Sequence, residues 1–507
     1  MDMELQKTCL DAYETVSDQI IVQEETLESI VPDACPDILR IVEAAGEVCL
    51  KTKELTEGSL RLGGSIRASV LYIPEGEPGP RKVEVRIPYV CGVEDPRFHP
   101  GGRVTAAPRL CGVDAQTLNP RKVLVRAQLA VALRVMAPER LEVCTGASGG
   151  EEEGLQRRLE ERSTYRITAV QEKPFQFSDT LNLPSSMPPA EELLRSQVEA
   201  RCLDAKIIGS KLIVKGEAVL RALCRCSGGE LNTARFELPF SQILEIPGAK
   251  EGADVAVETA LCASECVLQP GEPGSLAVSL ELLAQAVVRE TQTVEVVSDL
   301  YCTQCPVETD REELSLARLL DSGVQRQTVR QLCESGLPVR TVVDCSLSIG
   351  RLTRTEGENG VGIAAGTLVS ILFFSEDGAL CAAAYPIQAE TALGVDREAA
   401  VCFGCSHAGT LTATPVTGGI EVRFDLEFPY LALGRESCPM VTGLRPLPVE
   451  EGAGPRPSVI LRVVGEKEPL WDIAKACFST VADIMTANEL ESDGAPAGKL
   501  LLIPKQR

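Results

Sequence analysis

Apolar and polar residues alternate with a period of two along most of the chain. The segment Leu60–Leu71 shows this alternation, and similar segments return at Leu212–Leu223 and Gly362–Phe373. A period of two places successive side chains on opposite faces of an extended strand, so each segment predicts a half-buried β-strand. Turn-forming residues separate the strands, at Pro74-Glu75-Gly76, Ser227-Gly228-Gly229, Ser375-Glu376-Asp377-Gly378 and Thr417-Gly418-Gly419. Together they predict antiparallel β domains, each a sandwich or a partly open barrel.

The predicted strands belong to an internal repeat with a period of about 150 residues. Gly64, Gly216 and Gly366 fall on equivalent positions midway along a strand. A glycine inside a strand is typical of a bulge or a sharp bend. Each copy continues with a proline, at Pro88, Pro239 and Pro386, and with a further alternating strand, at Val123–Leu129, Leu276–Leu282 and Ile420–Leu426. The chain is therefore predicted to contain three copies of one β domain.

The first two copies share a proline-containing segment ahead of their strands. It reads Val31–Val42 in the first copy and Leu183–Pro188 in the second. The third copy shows no clear equivalent, and Glu312–Leu320 is predicted to form a helix there. We call this shared segment the preface.

The C-terminal residues have a pattern of their own. Val459–Val464 is a β-branched run that predicts a strand, and Leu500–Pro504 predicts a second one. Between them, two sets of apolar residues recur at helical spacing: Leu470, Ile473, Ala474 and Cys477, then Val481, Ile484 and Met485. Pro469 suits the first turn of one helix, and Thr480 is the predicted N-cap of the other, with Asp483 three residues on. The order is strand, helix, helix, strand.

The predicted fold class is mainly β, with three antiparallel sandwich-like or barrel-like domains and a small C-terminal α/β domain. The predicted boundaries are 1–145, 163–300 and 301–445 for the repeats and 458–507 for the last domain. Residues 146–162 form a Gly/Glu-rich connector, helical at its end, and Pro446–Pro457 is a linker. A chain of this length needs several cores, which agrees with this division.

Composition narrows the function classes. The formal net charge of −23 argues against nucleic acid as a partner, and equally against anionic lipid, because both need clustered Lys and Arg. The polar start Met1–Lys7 is followed by no apolar stretch of signal-peptide length, and no run has the ~20 apolar residues of a membrane span. The sequence therefore predicts a cytoplasmic protein without membrane insertion.

Candidate catalytic and metal-binding residues are few. The chain has 2 histidines, His99 and His407, and neither lies in a catalytic motif. Two Cys-x-x-Cys pairs, Cys302/Cys305 and Cys402/Cys405, are far apart in sequence, whereas a structural zinc site needs two such pairs together. Most of the 20 cysteines stand singly in apolar strands and are expected to be small buried hydrophobes. We expect no enzyme activity, no cofactor and no metal.

The C-terminal pattern resembles a LysM domain. The resemblance rests on three blocks in the expected order, Pro469–Ala474, Thr480–Asn488 and Gly498–Pro504. It implies binding of N-acetylglucosamine-containing glycans such as peptidoglycan, without catalysis. In the first loop, however, Lys467-Glu468-Pro469 stands where the family has Gly-Asp-Thr or Gly-Asp-Ser, so a glycine and a hydroxyl are missing. This change favours a protein partner over a glycan.

The three repeats, the Val-Pro-Asp-x-x-Pro-Asp segment at Val31–Asp37 and the terminal LysM pattern together resemble the SPOCS-domain proteins of spore-forming Firmicutes. The resemblance implies a non-enzymatic scaffold of the spore coat, made in the mother cell and acting at the forespore surface. It implies a coat protein, such as the ATPase of the coat basement layer, as the partner of the LysM domain. Peptidoglycan binding through LysM remains the alternative.

By resemblance to LysM ligand grooves, we expect the binding residues on two walls. One wall is predicted to contain Lys467, Glu468, Pro469 and Trp471, and the other Asn488, Leu490 and Ala497. For Trp471, the only tryptophan, core packing is favoured over sugar stacking. Four residues are predicted to be core: Leu470, Ile473, Ile484 and Leu502.

Overall fold

Three successive units of the same strand order make up most of the molecule. In the computed structural model, strands account for 77% of the chain and helices for 4%, so the predicted mainly β fold class is confirmed. The structure describes residues 3–148, 154–272, 274–357, 360–448, 458–466, 468–493 and 497–505.

The strands of the first unit are β1 (Glu4–Ile30), β2 (Ile38–Thr56), β3 (Ser59–Pro74), β4 (Arg81–Glu94), β5 (Arg103–Asn119) and β6 (Lys122–Ser148). Those of the second are β7 (Leu155–Asn182), β8 (Ala190–Ile208), β9 (Lys211–Cys226), β10 (Leu231–Glu245), β11 (Asp254–Leu268) and β12 (Ser275–Cys302). Those of the third are β13 (Val307–Cys333), β14 (Val339–Gly357), β15 (Gly360–Ser375), β16 (Leu380–Ala392), β17 (Ala400–Phe403), β18 (Ser406–Val416) and β19 (Gly419–Pro446).

Each unit is built from two antiparallel sheets. The second, third and fourth strands form one sheet, and the first, last and intervening strands form the other; in the third unit both β17 and β18 pair with β19. Each of the predicted turns connects two neighbouring strands, as at Pro74-Glu75-Gly76 between β3 and β4. A pairing of Tyr13 with Ile167 also joins β1 to β7, which makes one sheet of the first two units.

An apolar core fills each unit. In the first unit, Ile66 and Ile87 of one sheet and Leu129 of the other belong to the same buried cluster. The second and third units have equivalent clusters, centred on the alternating residues of β9 and β15. The alternation seen in the sequence is therefore the inward and outward alternation of strands in a two-layer sandwich.

The units also share a core. The long strands β6, β7, β12, β13 and β19 run past their own sandwiches, and their ends pack together in one apolar cluster. Val143, Leu155, Val296, Leu316 and Met440 each bring one of these strands into it. The three units are thus held to one another by buried apolar contacts as well as by the chain.

A bulge in the neighbouring strand accompanies the mid-strand glycine, as predicted. The pairing register of β2 with β3 shifts at Leu50/Thr52, opposite Gly64. A Cβ atom on Gly64 would lie 2.0 Å from the carbonyl oxygen of Cys49, and one on Gly216 would lie 2.4 Å from that of Arg201. Only glycine permits such a close approach of two strands.

The assignment of Gly366 as the third equivalent is wrong by one residue. Strands β3, β9 and β15 each have 16 residues, and their sixth residues are Gly64, Gly216 and Ala365. A Cβ on Gly366 would meet only the Arg351 carbonyl oxygen, at 3.7 Å. In β14 the pairing shifts between Ile349, opposite Thr367, and Leu352, opposite Ala365, so Gly366 lies at the bulge and Ala365 beyond it.

Two helical predictions are also wrong. Residues 312–320 lie in β13, where Leu314 and Leu316 are buried and Ser315 between them is exposed. Residues 155–162, predicted as a connector with a helical end, belong to β7 and pair with β12. Residues 146–148 of the first predicted connector lie in β6 and Pro446 of the second ends β19, while residues 149–153 and 449–457 lie outside the described residues.

The preface is a loop between β1 and β2 that is organised by Arg121. The guanidinium donates to the carbonyl oxygens of Val31, Pro32 and Cys35 at 3.0, 3.0 and 2.6 Å, and to the Asp37 carboxylate at 3.2 Å. One arginine thus binds three carbonyl groups of this loop, of which that of Pro32 also accepts a hydrogen bond of 2.9 Å from the Cys35 amide. The Val-Pro-Asp-x-x-Pro-Asp pattern serves the local structure of this loop.

The C-terminal module has the predicted order of elements. It consists of β20 (Val459–Val463), α1 (Leu470–Cys477), α2 (Val481–Ala487) and β21 (Leu500–Pro504). The two strands pair antiparallel. Among the described residues, no helix is long and apolar enough to cross a membrane.

Candidate partner-binding site

The core of the C-terminal module is formed by one face of each helix and one face of the hairpin. Leu470, Ile473 and Ala474 of α1 are fully buried, as is Ile484 of α2. The Thr480 hydroxyl accepts a hydrogen bond of 3.0 Å from the Asp483 amide, which confirms the predicted N-cap.

The prediction that Leu502 is core is wrong. Leu501 and Ile503 are fully buried, whereas Leu502 is 39% exposed. Successive residues of a strand point to opposite faces, so the choice of one inward residue decides the whole strand. Leu502 therefore belongs to the outer face of the hairpin.

Trp471 packs against the second β unit. Its ring meets that of Tyr301, at the end of β12, edge to face with centroids 5.0 Å apart. Its indole Nε1 donates to Asp299 Oδ2 at 2.8 Å, and the Tyr301 hydroxyl donates to the Ser479 carbonyl oxygen at 2.8 Å. Only 9% of Trp471 is exposed, which confirms the core-packing interpretation. The apolar cluster around Trp471 contains Tyr301 of β12 as well as residues of the module.

Asp299 is the polar centre of this docking contact. Its Oδ1 accepts a hydrogen bond of 2.7 Å from Lys475 of α1 and also forms an ion pair with Arg311 of β13. Burial by itself raises the pKa of Asp299, but the hydrogen bonds from Lys475 and Trp471 and the positive charges outweigh it and hold the pKa below its ordinary value. An ionised Asp299 therefore ties the module to both the second and the third unit.

Sequence reasoning missed Asp299 and Tyr301 as docking residues. They sit two residues apart at the end of β12, so they share one face of the strand. This spacing is the feature of the sequence that places the two side chains together, but it does not identify the residues that they contact.

The remaining predicted binding residues occupy different environments. Glu468 accepts hydrogen bonds from Arg462 at 2.6 Å and from the Gly465 amide at 3.0 Å. Asn488 joins α2 to β21. Its side-chain Nδ2 donates to the Leu502 carbonyl oxygen, and its Oδ1 accepts a hydrogen bond from the Leu502 backbone amide. Leu490 packs against the module core.

Two of the predicted residues face solvent. Pro469 and Ala497 are both exposed, one at the start of α1 and the other in the loop before β21. Lys467 lies outside the described residues. Among the described residues of the predicted walls, these two are exposed, whereas Glu468, Asn488 and Leu490 are half-buried.

The outer face of the hairpin is apolar. We call it the hairpin face; its residues are Val459, Leu461 and Val463 of β20 and Leu500 and Leu502 of β21. Leu461 is paired with Leu502 and Val463 with Leu500, so the side chains form one continuous patch. Leu461, Val463 and Leu500 are 65%, 58% and 56% exposed. A cluster of exposed aliphatic residues of this kind is typical of protein-interaction surfaces.

Most of the cysteines are buried in the structure. Twelve of the cysteines are buried, in agreement with their predicted role as small hydrophobes. Burial raises the pKa of Cys49 and Cys224 to about 12, so these thiols remain protonated and are poor nucleophiles at neutral pH. Among the described residues there is no group of three or more His, Cys, Asp or Glu side chains that could hold a metal ion.

Two segments match known domain families. Residues 189–267, which include β8–β10 and most of β11, match the family described as SipL, SPOCS domain. Residues 463–504 match the LysM domain. The predicted combination of SPOCS and LysM domains is therefore confirmed, and it supports a sporulation-related protein with a LysM binding module. Both are domains of binding, non-catalytic type. No curated protein and no solved structure matches the chain.

Proposed function

We propose that this chain is a non-enzymatic scaffold of spore-coat assembly that contacts a protein through its LysM domain. In this proposal it acts in the cytoplasm of the mother cell and tethers coat proteins at the forespore surface. The partner is the ATPase of the coat basement layer or another coat protein. The SPOCS and LysM matches support this assignment.

The hairpin face is the observation that carries the proposal. Its five aliphatic side chains offer a protein partner apolar area to bury, and each buried methylene contributes about 0.8 kcal/mol. A glycan, which presents mainly hydroxyl groups, gains less from such a surface. We include the exposed Pro469 and Ala497 and the half-buried Glu468 as further candidate contacts, and Lys467 stays a candidate on its position in the sequence alone.

Peptidoglycan binding is the second candidate, because the LysM match itself favours it. Trp471 is buried against Tyr301 and Asp299, so it does not offer a stacking face to a sugar. The loop around Pro469 and Ala497 is the part of the predicted groove that faces solvent.

Substitution of the hairpin face separates the two candidates. Leu461→Thr and Leu500→Thr keep β-propensity and remove apolar area, and we expect each to weaken binding to the purified basement-layer ATPase at least tenfold in biolayer interferometry. Leu203→Thr, at a position on β8 that is 59% exposed, is the matched control and should bind as the wild type does.

The same proteins are sedimented with purified peptidoglycan. Protein binding that is lost in the hairpin variants, with no sedimentation, supports the scaffold. Sedimentation of wild type and variants alike, together with no affinity for the ATPase or other purified coat proteins, would favour the glycan candidate and overturn the proposal.

A further inference from the structure

A cavity of about 610 Å³ lies where the three units meet. We call it the junction cavity. Its lining includes Arg134 of the first unit, Arg289 of the second and Arg435 of the third. Its volume falls within the ~300–1,000 Å³ of ordinary small-ligand pockets. A site at this position would be formed only when all three units are in place.

The lining of the junction cavity is positively charged, in a chain with a formal net charge of −23. Four carboxylates line it, those of Glu14, Asp18, Glu139 and Glu258. Six arginines line it: Arg109, Arg134, Arg166, Arg289, Arg351 and Arg435. Six minus four leaves an excess of two positive charges.

Most of these arginines have partners within the protein. Arg134 pairs with Asp18 at 3.0 Å, and Arg166 pairs with Glu139 at 2.6 Å. At the solvent-exposed rim, Arg435 lies 3.5 Å from Glu14. Arg109 donates to the Cys405 carbonyl oxygen at 2.7 Å. Among the described residues, three arginines without a carboxylate partner remain, Arg109, Arg289 and Arg351, beside one carboxylate, Glu258, and they account for the excess of two positive charges.

Arg289 is buried without such a partner. Only 6% of the residue is exposed, and within the described part of the chain its guanidinium makes no hydrogen bond or ion pair. Burial, and then the nearby charge of Arg134, lower the pKa of Arg289. None of its nitrogens is a fully buried atom without a partner, so the guanidinium donors reach the open space of the cavity. Removal of this charge from bulk water still costs free energy, and an anion in the cavity would offset that cost.

We infer that the junction cavity binds a small anion with two or more negative charges, carried by phosphate or carboxylate groups, and that Arg289 is its buried contact. The planar guanidinium matches the two oxygens of either group. The hydroxyl groups of Tyr165 and Thr164, which also line the cavity, already donate to Asp254 and to the Ala317 carbonyl oxygen, so the arginines supply the donors for an anion. This inference is independent of the LysM domain and of its partner.

Ligand binding should raise the thermal stability of the intact chain, because a ligand that binds only the folded state stabilises it by mass action. Pyrophosphate and citrate, each compared with sodium chloride of equal ionic strength, are the two probes in differential scanning fluorimetry and calorimetric titration. We expect a saturable rise in Tm with at least one of them. A response to pyrophosphate alone assigns a phosphate ligand, and a response to citrate alone assigns a carboxylate ligand.

Substitution of Arg289 tests the contact. Arg289→Leu and Arg289→Gln should reduce the affinity for the active probe at least tenfold and leave Tm without the probe equal to or above that of the wild type, because a buried unpaired charge is removed. Arg86→Gln, on the exposed side of β4, removes the same charge outside the cavity and should respond as the wild type does. No saturable response of the wild type to either probe, or an unchanged affinity in a folded Arg289 variant, would overturn the inference.

Discussion

At the scale of single residues, the close approach of two strands at Gly64 makes a sharp prediction. Gly64→Ala would place a methyl group 2.0 Å from the Cys49 carbonyl oxygen and against the Tyr89 ring, so the two strands must separate. Overpacking of this kind costs about 1–3 kcal/mol. We expect a lower midpoint of urea unfolding, followed by far-UV circular dichroism.

Gly366→Ala is the matched control. Its new methyl group would meet only the Arg351 carbonyl oxygen, at 3.7 Å, so stability should stay within about 0.5 kcal/mol of the wild type or rise slightly. Equal destabilisation by the two substitutions would contradict the register that places Ala365, and not Gly366, at the position of Gly64.

The burial of His407 leads us to expect that the unfolding free energy of the protein decreases in acid. Burial first, and then the charges of Arg201, Arg235 and Arg221, lower its pKa to about 4, against the opposing effect of Asp425. Between the ordinary value of 6.5 and about 4, the unfolded chain binds a proton that the folded chain does not. The stability contributed by neutral His407 is therefore present above pH 6.5 and is lost as the pH falls towards 4.

His407→Gln removes this titration. Urea unfolding of both proteins is measured at pH 7 and at pH 4.5. On going from pH 7 to pH 4.5, the unfolding free energy of the wild type should fall more than that of the variant. Because the carboxylates are the same in both proteins, their contributions cancel in this difference. A difference that stays constant between the two pH values would show that His407 does not titrate in this range.

At the scale of secondary-structure elements, most of the fold could be predicted from the sequence, since two periodicities account for it. The strands of the repeats follow the period of two, and α1 and α2 follow the helical spacing of their apolar residues. The error at 312–320 arose because Leu, Glu, Arg and Ala favour a helix locally. Leu314 and Leu316 are buried in the apolar cluster that the units share, and this burial favours a strand over a helix at these residues.

The docking of the LysM domain could not be predicted in the same way, because it depends on residues 172 positions apart. Asp299 accepts from Trp471 and Lys475 and pairs with Arg311. Asp299→Ala leaves the Trp471 N–H without its acceptor in a buried place, which costs about 1–3 kcal/mol. We expect the domain to undock in this variant.

Trp471 reports on this event directly, since it is the only tryptophan. Its fluorescence maximum should shift to longer wavelength in Asp299→Ala, because the indole becomes exposed to water. A protease site inserted within residues 449–457 gives a second readout: after cleavage the LysM fragment should co-elute with the β units in the wild type and separate in the variant. Asp310→Ala, which removes an exposed carboxylate paired with Arg445, is the control and should behave as the wild type. An unchanged spectrum in Asp299→Ala would contradict the docking contact.

At the scale of the whole molecule, equivalent positions of the three units meet. Glu43, Arg195 and Asp344 lie opposite Leu71, Leu223 and Leu372, the thirteenth residues of β3, β9 and β15. The three leucines share one buried cluster, and Arg195 forms ion pairs with both carboxylates. Contact among equivalent positions means that the units are arranged around a pseudo-threefold axis.

The sequence repeat could not predict this arrangement. Alignment of the repeats identifies what the copies have in common, such as the core residues of each sandwich. The contacts at the axis instead depend on the residues that differ between the copies. The arginine at this position in the second copy attracts the glutamate of the first and the aspartate of the third, whereas three identical charges would repel one another. The junction cavity, lined by residues of all three units, is a further consequence of the same arrangement.

The buried ion pairs at the axis give the last prediction. Arg195 Nη1 lies 2.6 Å from Glu43 Oε2, and Nη2 lies 2.5 Å from Asp344 Oδ2, with all three side chains less than 10% exposed. Arg195→Met leaves the Glu43 carboxylate buried without its partner and Asp344 with Arg221 alone, so it should lower the unfolding free energy by about 3–5 kcal/mol. The triple variant Glu43→Gln, Arg195→Met, Asp344→Asn removes all three charges and should recover much of this loss, because the cost comes from unpaired charge and not from lost attraction. Urea unfolding of the two proteins beside the wild type measures both effects. If Arg195→Met cost less than about 1 kcal/mol, or if the triple variant were no more stable than the single one, the buried network would not be what fixes the three units around their axis.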